Sequence, residues 1–411
     1  MLSQFEYSVP SQVITQSKYI TQRNKDQYCS NIALKLNGKL ANAQSCGRAW
    51  SNDHSNGLPW FSEVPTLLMA LGMSHDQGQG TRSYVVGTVC LDQHGLQTGY
   101  KLKIQKKSSF IARSVLKDIT KSLTLLYEKS VGKAPQRVIV YRDGLSDGSF
   151  SEAEGEIQAV RQAFYDLNTT NSHARACSLC NKKGCLYCTP AITYVIAQND
   201  HGIKMVPSNN SEGFQTRGAA NVHSGTCLDH TITGGMQNLA VKDESLPPAY
   251  CFPTVARNTS VGFDFLLTAQ GGLKGTSKPV YYRVLRNENL FFCGERDART
   301  SLTRDKLEKL TYHLSFLYTT ASKAPRSIPI VYYSKSFANQ AMGWIATLTR
   351  IGRIGSEPTE DGDEVRFFRS DSENIQSDDL LPGFSVTSGN PKFPKFPFRP
   401  CGMICAMAKR G

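Results

Sequence analysis

Two stretches of this chain carry residues that could do chemistry. Arg137-Val-Ile-Val-Tyr-Arg-Asp143 reads as an apolar strand that stops on a carboxylate, followed by Gly-Leu-Ser-Asp-Gly. An unpaired buried carboxylate is costly, so Asp143 needs a cation, or turn N–H groups from Gly144–Gly148 that it can accept while capping the next segment. The second stretch is Cys-x2-Cys-x4-Cys-x2-Cys at Cys177, Cys180, Cys185 and Cys188. Two such knuckles can surround one structural Zn²⁺ with four thiolates at about 2.3 Å. The central spacer is shorter than in common zinc ribbons, so free thiols and disulfide or redox chemistry stay open.

The elements that must position these residues follow from periodicity. Glu63–Met73, Arg82–Asp92 and Gly99–Lys107 read as three successive strands. Ser108–Ser130 reads as a helix with Ile111, Val115, Ile119 and Leu123 on one stripe. The strand Arg137–Arg142 and a helix over Ser151–Asn168 come next, then strands at AITYVIAQN, GTCLDHTIT, GFDFLLTAQ and PVYYRVLRN. Leu307, Leu310, Leu314 and Leu317 mark one late helix, and Tyr332–Arg350 a second. Three strands, a helix, a strand ending in Asp and a second helix is the opening order of an α/β, ribonuclease H-like fold, with a central mixed β-sheet flanked by helices. The acidic, then Pro-rich, segment 352–411 reads as a disordered tail.

The bulk properties narrow the partners. The 411 residues carry a net charge of +13, which favours a polyanion, nucleic acid first, over a merely solvated basic surface. No run of about 18 apolar residues exists, so no transmembrane helix and no membrane partner are expected. The start MLSQFEYSVPSQV lacks the features of a secretion signal. Most of the 12 cysteines are scattered, as in a reducing compartment, so a cytoplasmic or nuclear location is expected.

YRDGLSDGSF (141–150) resembles the Tyr-Arg-Asp-Gly signature of the Argonaute/Piwi family, and Gly262–Asn289 resembles its strand-turn-strand with a Gly-Thr-Ser-basic-Pro turn, here Gly275–Pro279. GTCLDHTI and SIPIVYYSK fall in the matching order. The resemblance implies a PIWI domain over 59–351, preceded at 1–58 by the C-terminal part of a MID-like domain. It implies that the chain begins inside that MID domain, without the aromatic that stacks on the first guide base and without N-terminal and PAZ domains. The family's 5′-phosphate residues fall on Gln12, Lys35 and Lys39, the two lysines sharing a helix face. Lys278 and Tyr332 fall on further RNA-binding positions, while two arginine positions near the guide's 5′ end fall at about Thr320 and Gln340.

The family cuts RNA with two divalent metals, which sites of this kind hold about 4 Å apart on hard oxygen ligands. Of the ligand positions, only Asp143 keeps its acid: the others fall on Gly72, Phe110 and Lys335. The resemblance therefore implies a small-RNA-guided RNA-binding protein in gene silencing that lacks slicer activity, with a small guide RNA, a complementary target and unnamed silencing proteins as partners. One alternative is a metal-dependent endoribonuclease with a rearranged Mg²⁺ site built from Asp143 and Asp76, helped by His75. Another is a non-binding remnant of an Argonaute gene.

Overall fold

The computed structural model describes residues 14–39 except 15; 58–145 except 59, 77, 79, 93, 94 and 96; 150–170; 190–208; 214–216; 219–230; 233; 237–239; 260–270; 275–290; 301–350 except 322 and 323; 354–359; 362–368; and 374–375. Helices α1 (Gln16–Thr21) and α2 (Lys25–Lys39) come first. Then follow β1 (Thr66–His75), β2 (Arg82–Cys90), β3 (Thr98–Lys106), α3 (Arg113–Val131), β4 (Arg137–Asp143), α4 (Phe150–Thr170) and β5 (Ala191–Gln198). Four short strands, β6 (Phe214–Thr216), β7 (Ala219–Asn221), β8 (Thr226–Leu228) and β9 (Gln237–Leu239), precede β10 (Ser260–Thr268) and β11 (Val280–Asn287). Helices α5 (Arg304–Leu314) and α6 (Pro329–Arg350) complete the main body.

The main sheet runs β3-β2-β1-β4-β5-β11-β10-β8, with β9 also paired to β10. It is mixed: β1, β4 and β5 are parallel, and the remaining pairs are antiparallel. This is the ribonuclease H-like arrangement expected from the order of elements. Alternation along the strands builds two cores. Leu67, Met69 and Leu71 of β1 join Val138 and Val140 of β4 under α3 and α4. Leu68, Ala70, Ile139 and Tyr141 join α5 and α6 on the opposite face.

Several boundaries differ from the sequence reading: β1 starts at Thr66, not Glu63, β8 covers only Thr226–Leu228 of the stretch GTCLDHTIT, and α5 ends at Leu314, so Leu317 lies past it. The helix α3 begins at Arg113, not Ser108. The preceding N–H groups are taken by side chains instead: Phe110 N donates to Ser108 Oγ, Ile111 N to Glu156 Oε1 and Ala112 N to Gln105 Oε1. At the other end, α6 starts at Pro329, because proline suits the first helical position, where no N–H is needed.

The segment 352–411 is corrected at its start. β12 (Ile354–Thr359) pairs antiparallel with β13 (Gly362–Phe368), and β14 (Asn374–Ile375) adds to β13. Val365, Phe367 and Phe368 supply β-formers that outweigh the acidic composition. Residues 376–411 lie outside the described residues.

Candidate functional site

The Tyr-Arg-Asp run at the end of β4 ties three helices to one strand. Tyr141 and Asp143 face one side of the sheet and Arg142 the other, as strand alternation requires. The Tyr141 hydroxyl pairs with Thr311 Oγ1 of α5 at 2.7 Å. Arg142 Nε donates to Glu156 Oε2 of α4 at 3.2 Å, with both groups essentially buried (1% and 2% exposed). Glu156 also accepts from the Tyr194 hydroxyl and from Ile111 N. Removing one partner of such a pair leaves a buried charge uncompensated, at a cost of about 3–5 kcal/mol.

Asp143 faces α6. Its Oδ2 lies 3.2 Å from the Lys335 ammonium, and the carboxylate is 6% exposed while the lysine is 50% exposed. The cation that a buried strand-end carboxylate needs is therefore a lysine. Of the turn N–H groups also expected as donors to the carboxylate, those of Ser146, Asp147 and Gly148 lie outside the described residues. Gly144 continues the chain at φ 70°, a left-handed conformation that glycine adopts without strain, and its N–H donates to Ala197 O.

Gly72 sits beside this pair. In the parallel register Leu71 is level with Arg142, so the next residues, Gly72 and Asp143, lie together at the carboxyl edge of two adjacent strands. A Cβ on Gly72 would meet Lys335 N and Ser334 C at 2.6 Å, and Ser334 Oγ at 2.7 Å. The missing side chain is what lets α6 come down onto β1. The helix presents small or slim buried residues at helical spacing, Val331, Ser334, Ala338 and Ala341.

The other expected positions are placed as follows. Phe110 packs its ring against the α3/α4 core and gives its carbonyl to Gln105 Nε2. Asp76 is engaged within the β1–β2 hairpin: its carboxylate accepts from the Tyr84 hydroxyl at 2.9 Å and from Arg82 N at 3.3 Å. The His75 Nδ1 lies 2.8 Å from Ser83 Oγ, and burial, then the charges of Lys107 and Arg142, hold its imidazole below the ordinary range. Among the described residues, no group of three or more His, Cys, Asp or Glu is placed to hold a metal ion.

Lys278 is exposed on a well-braced turn. Asn221 Nδ2 donates to Gly275 O at 2.9 Å, and Asn221 Oδ1 accepts from Ser277 N. Arg326 Nη2 donates to Pro279 O at 2.8 Å and to Asn199 O at 2.7 Å. Ser277 is buried while Lys278 points to solvent. Tyr332, 49% exposed, meets Tyr318 edge-on, with ring centroids 5.4 Å apart. Tyr332 and Lys335 are three residues apart on α6 and both exposed, so they share a face.

At the N-terminal end, Lys35 is half-buried on α2, whereas Gln12 and the side chain of Lys39 lie outside the described residues, as do Cys177, Cys180, Cys185 and Cys188. Thr320 is half-buried and Gln340 is exposed, its Nε2 donating to Ser336 Oγ. Asn221, Arg326, Ser334 and Glu156 are the residues that sequence reasoning missed. Only Glu156 left a signal, as an acid on the apolar stripe of α4.

The Piwi domain model matches residues 2–239 and 242–345. Protein argonaute 18 of Oryza sativa subsp. japonica is 26% identical over 358 residues, covering 86% of this chain and 27% of the relative. Protein argonaute MEL1 of the same species is 28% identical over 364 residues, covering 85% and 29%. The chain thus spans under a third of the length of these curated relatives. The structure of Kluyveromyces polysporus Argonaute with a guide RNA superposes with a TM-score of 0.58 at 17% identity, covering 85% of this chain and 34% of that one.

Proposed function

The chain belongs to the Piwi domain family, and from that premise we propose that it holds a small guide RNA and its complementary target without cutting either. One observation carries the second half of this reading. The space where a β1 carboxylate would project is filled by the backbone of α6, and the cation at Asp143 is the Lys335 ammonium. The residues present do not fit a two-metal centre. One carboxylate remains, it is neutralised by a lysine, and Phe110 contributes only a packed ring. Mg²⁺ therefore has no catalytic role in this reading. The rearranged endoribonuclease is disfavoured because the Asp76 carboxylate is spent on Tyr84 and Arg82.

RNA binding itself is supported by family membership, by the net charge of +13 and by the exposed Lys278, Tyr332 and Lys335. A related fold was solved with a guide RNA. Affinity would come mainly from phosphate contacts, and what is read is single strands and A-form shape. Among the described residues no helix is long and apolar enough to cross a membrane. Silencing would then depend on recruited proteins.

The test is a cleavage assay with guide, matched target and Mg²⁺ or Mn²⁺. Retention of intact target is expected. A single cut opposite the middle of the guide, abolished by Asp143→Ala, would overturn the non-cleaving reading.

A further inference from the structure

The carboxyl edge of β1 and β4 is where open α/β sheets bind their ligands. At that edge the chain places a fixed positive charge. Lys335 reaches it from the first half of α6, and its ammonium is held at 3.2 Å by a carboxylate that is itself buried. An ammonium has three donors, and Asp143 needs one. Lys335 is half exposed, so the remaining donors are free to meet an oxygen arriving from solvent.

The surroundings suit an anion. Arg142 and Lys107 both act on the His75 imidazole nearby as positive charges, and Lys107 Nζ donates to Asp76 O, which keeps it at the same edge. Arg142 is committed to Glu156 on the far side of the sheet, and the Asp76 carboxylate is committed within its hairpin. Lys107 and Lys335 both bring charge and access to this edge; of the two, Lys335 is the one held by a buried carboxylate, and Tyr332 stands beside it on the same helix face.

We propose that Lys335 does the anion-binding work that a divalent metal does in a cutting enzyme. Oriented by Asp143, its ammonium contacts one phosphodiester of bound RNA, so the grip of this chain on RNA is independent of divalent cations. The inference rests on the reading that the chain binds RNA and adds the site and its chemistry.

The role separates cleanly from a structural one. If the Lys335–Asp143 pair only fastened α6 to β4, removing either partner would have the same effect. If Lys335 binds phosphate, the two changes act in opposite directions, because Asp143→Asn keeps an acceptor oxygen to orient the ammonium and removes the negative charge that repels the phosphodiester.

The experiment is a fluorescence-anisotropy titration of the full chain with a short labelled single-stranded RNA and with its duplex. It is run in Mg²⁺ and in EDTA at matched ionic strength, over a range of salt. Wild type should bind equally in both. Lys335→Ala should weaken binding about tenfold, the effect of losing one charged hydrogen bond, and should lower the single-strand salt slope by about 0.7. Lys335→Met, which keeps the stem and drops the charge, gives the same readout should the alanine form not fold. Lys335→Arg should retain most of the affinity, and Asp143→Asn should bind more tightly than wild type. Tyr332→Ala should weaken binding without changing the slope, since stacking releases no counterion. Loss of wild-type affinity in EDTA would overturn the proposal. So would unchanged affinity and slope in Lys335→Ala, or weakening by Asp143→Asn equal to that by Lys335→Ala. A chain that binds no RNA in any condition would overturn the parent reading as well, whereas binding indifferent to Lys335 would overturn this inference alone.

Discussion

Adding one methyl group at Gly72 should destabilise the fold, although glycine to alanine in a strand ordinarily stabilises it. The ordinary gain is about 0.5–1 kcal/mol, from a less flexible unfolded chain. Here the new Cβ would lie 2.6 Å from Lys335 N and Ser334 C, where carbon contacts settle at about 3.5–4.0 Å. The atoms in the way are helix backbone, so no side chain can rotate aside. Helix α6 must retreat by roughly 1 Å, and it packs against β1 and β2 through Val331, Ser334, Ala338 and Ala341, so the whole contact opens. Overpacking of this kind costs about 1–3 kcal/mol, which exceeds the entropic gain and reverses the sign. Gly72→Asp should be worse, because a second carboxylate arrives beside Asp143 with one ammonium between them, and it should not restore cleavage. Urea unfolding read by far-UV circular dichroism gives the sign directly, as a lower midpoint at an unchanged slope. A Gly72→Ala protein as stable as wild type, or more stable, would refute the argument that α6 closes on β1 through the missing side chain.

Cys177, Cys180, Cys185 and Cys188 are expected to hold one zinc ion, and metal analysis of the purified chain should find a stoichiometry near one; near zero, with four freely titratable thiols, would refute it. Acid should weaken the fold through its histidines. Burial comes first among the causes that lower the pKa of His75, His201 and His313, so the neutral form is favoured in the folded state. The stability they support is complete above the unfolded histidine value of about 6.5 and is lost as pH falls below it. His75→Gln should flatten part of that loss when unfolding is compared at about pH 7.5 and pH 5.5. Finally, if Lys35 and Lys39 share a 5′-phosphate, a 5′-phosphorylated RNA should bind about tenfold tighter than its 5′-hydroxyl twin, and Lys35→Ala/Lys39→Ala should erase the difference. Equal affinities before mutation would remove that pocket.

The central sheet was legible because each strand carries its own evidence. Leu67 to Gly72 is apolar on both faces, as a strand covered on both sides must be, and Val138 to Tyr141 repeats the pattern. What failed were places where a distant group takes over a local one. Residues Phe110 to Ala112 look helical, yet their N–H groups are claimed by Ser108, Glu156 and Gln105, and the helix waits until Arg113. The 354–368 hairpin was hidden by its charge, since composition averaged over the segment conceals Val365, Phe367 and Phe368.

The site divides in the same way. Asp143 could be picked out from the sequence, as could the glycine and phenylalanine at the positions where the family resemblance expects acids. Asn221 could not: a lone Asn in a three-residue strand gives no hint that both ends of its amide clamp the turn bearing Lys278. The meaning of Gly72 was hidden as well. In sequence it is a side chain that is missing. In the fold it is a space already occupied, by the backbone at Ser334 and Lys335. These two states predict different things. A vacated site could be refilled by restoring one acid, but an occupied one resists restoration, because the acid, the helix and the lysine compete for the same volume. The close fit of α6 is what the proposed centre around Lys335 requires, since mere loss of a carboxylate would leave a gap where this fold has a contact.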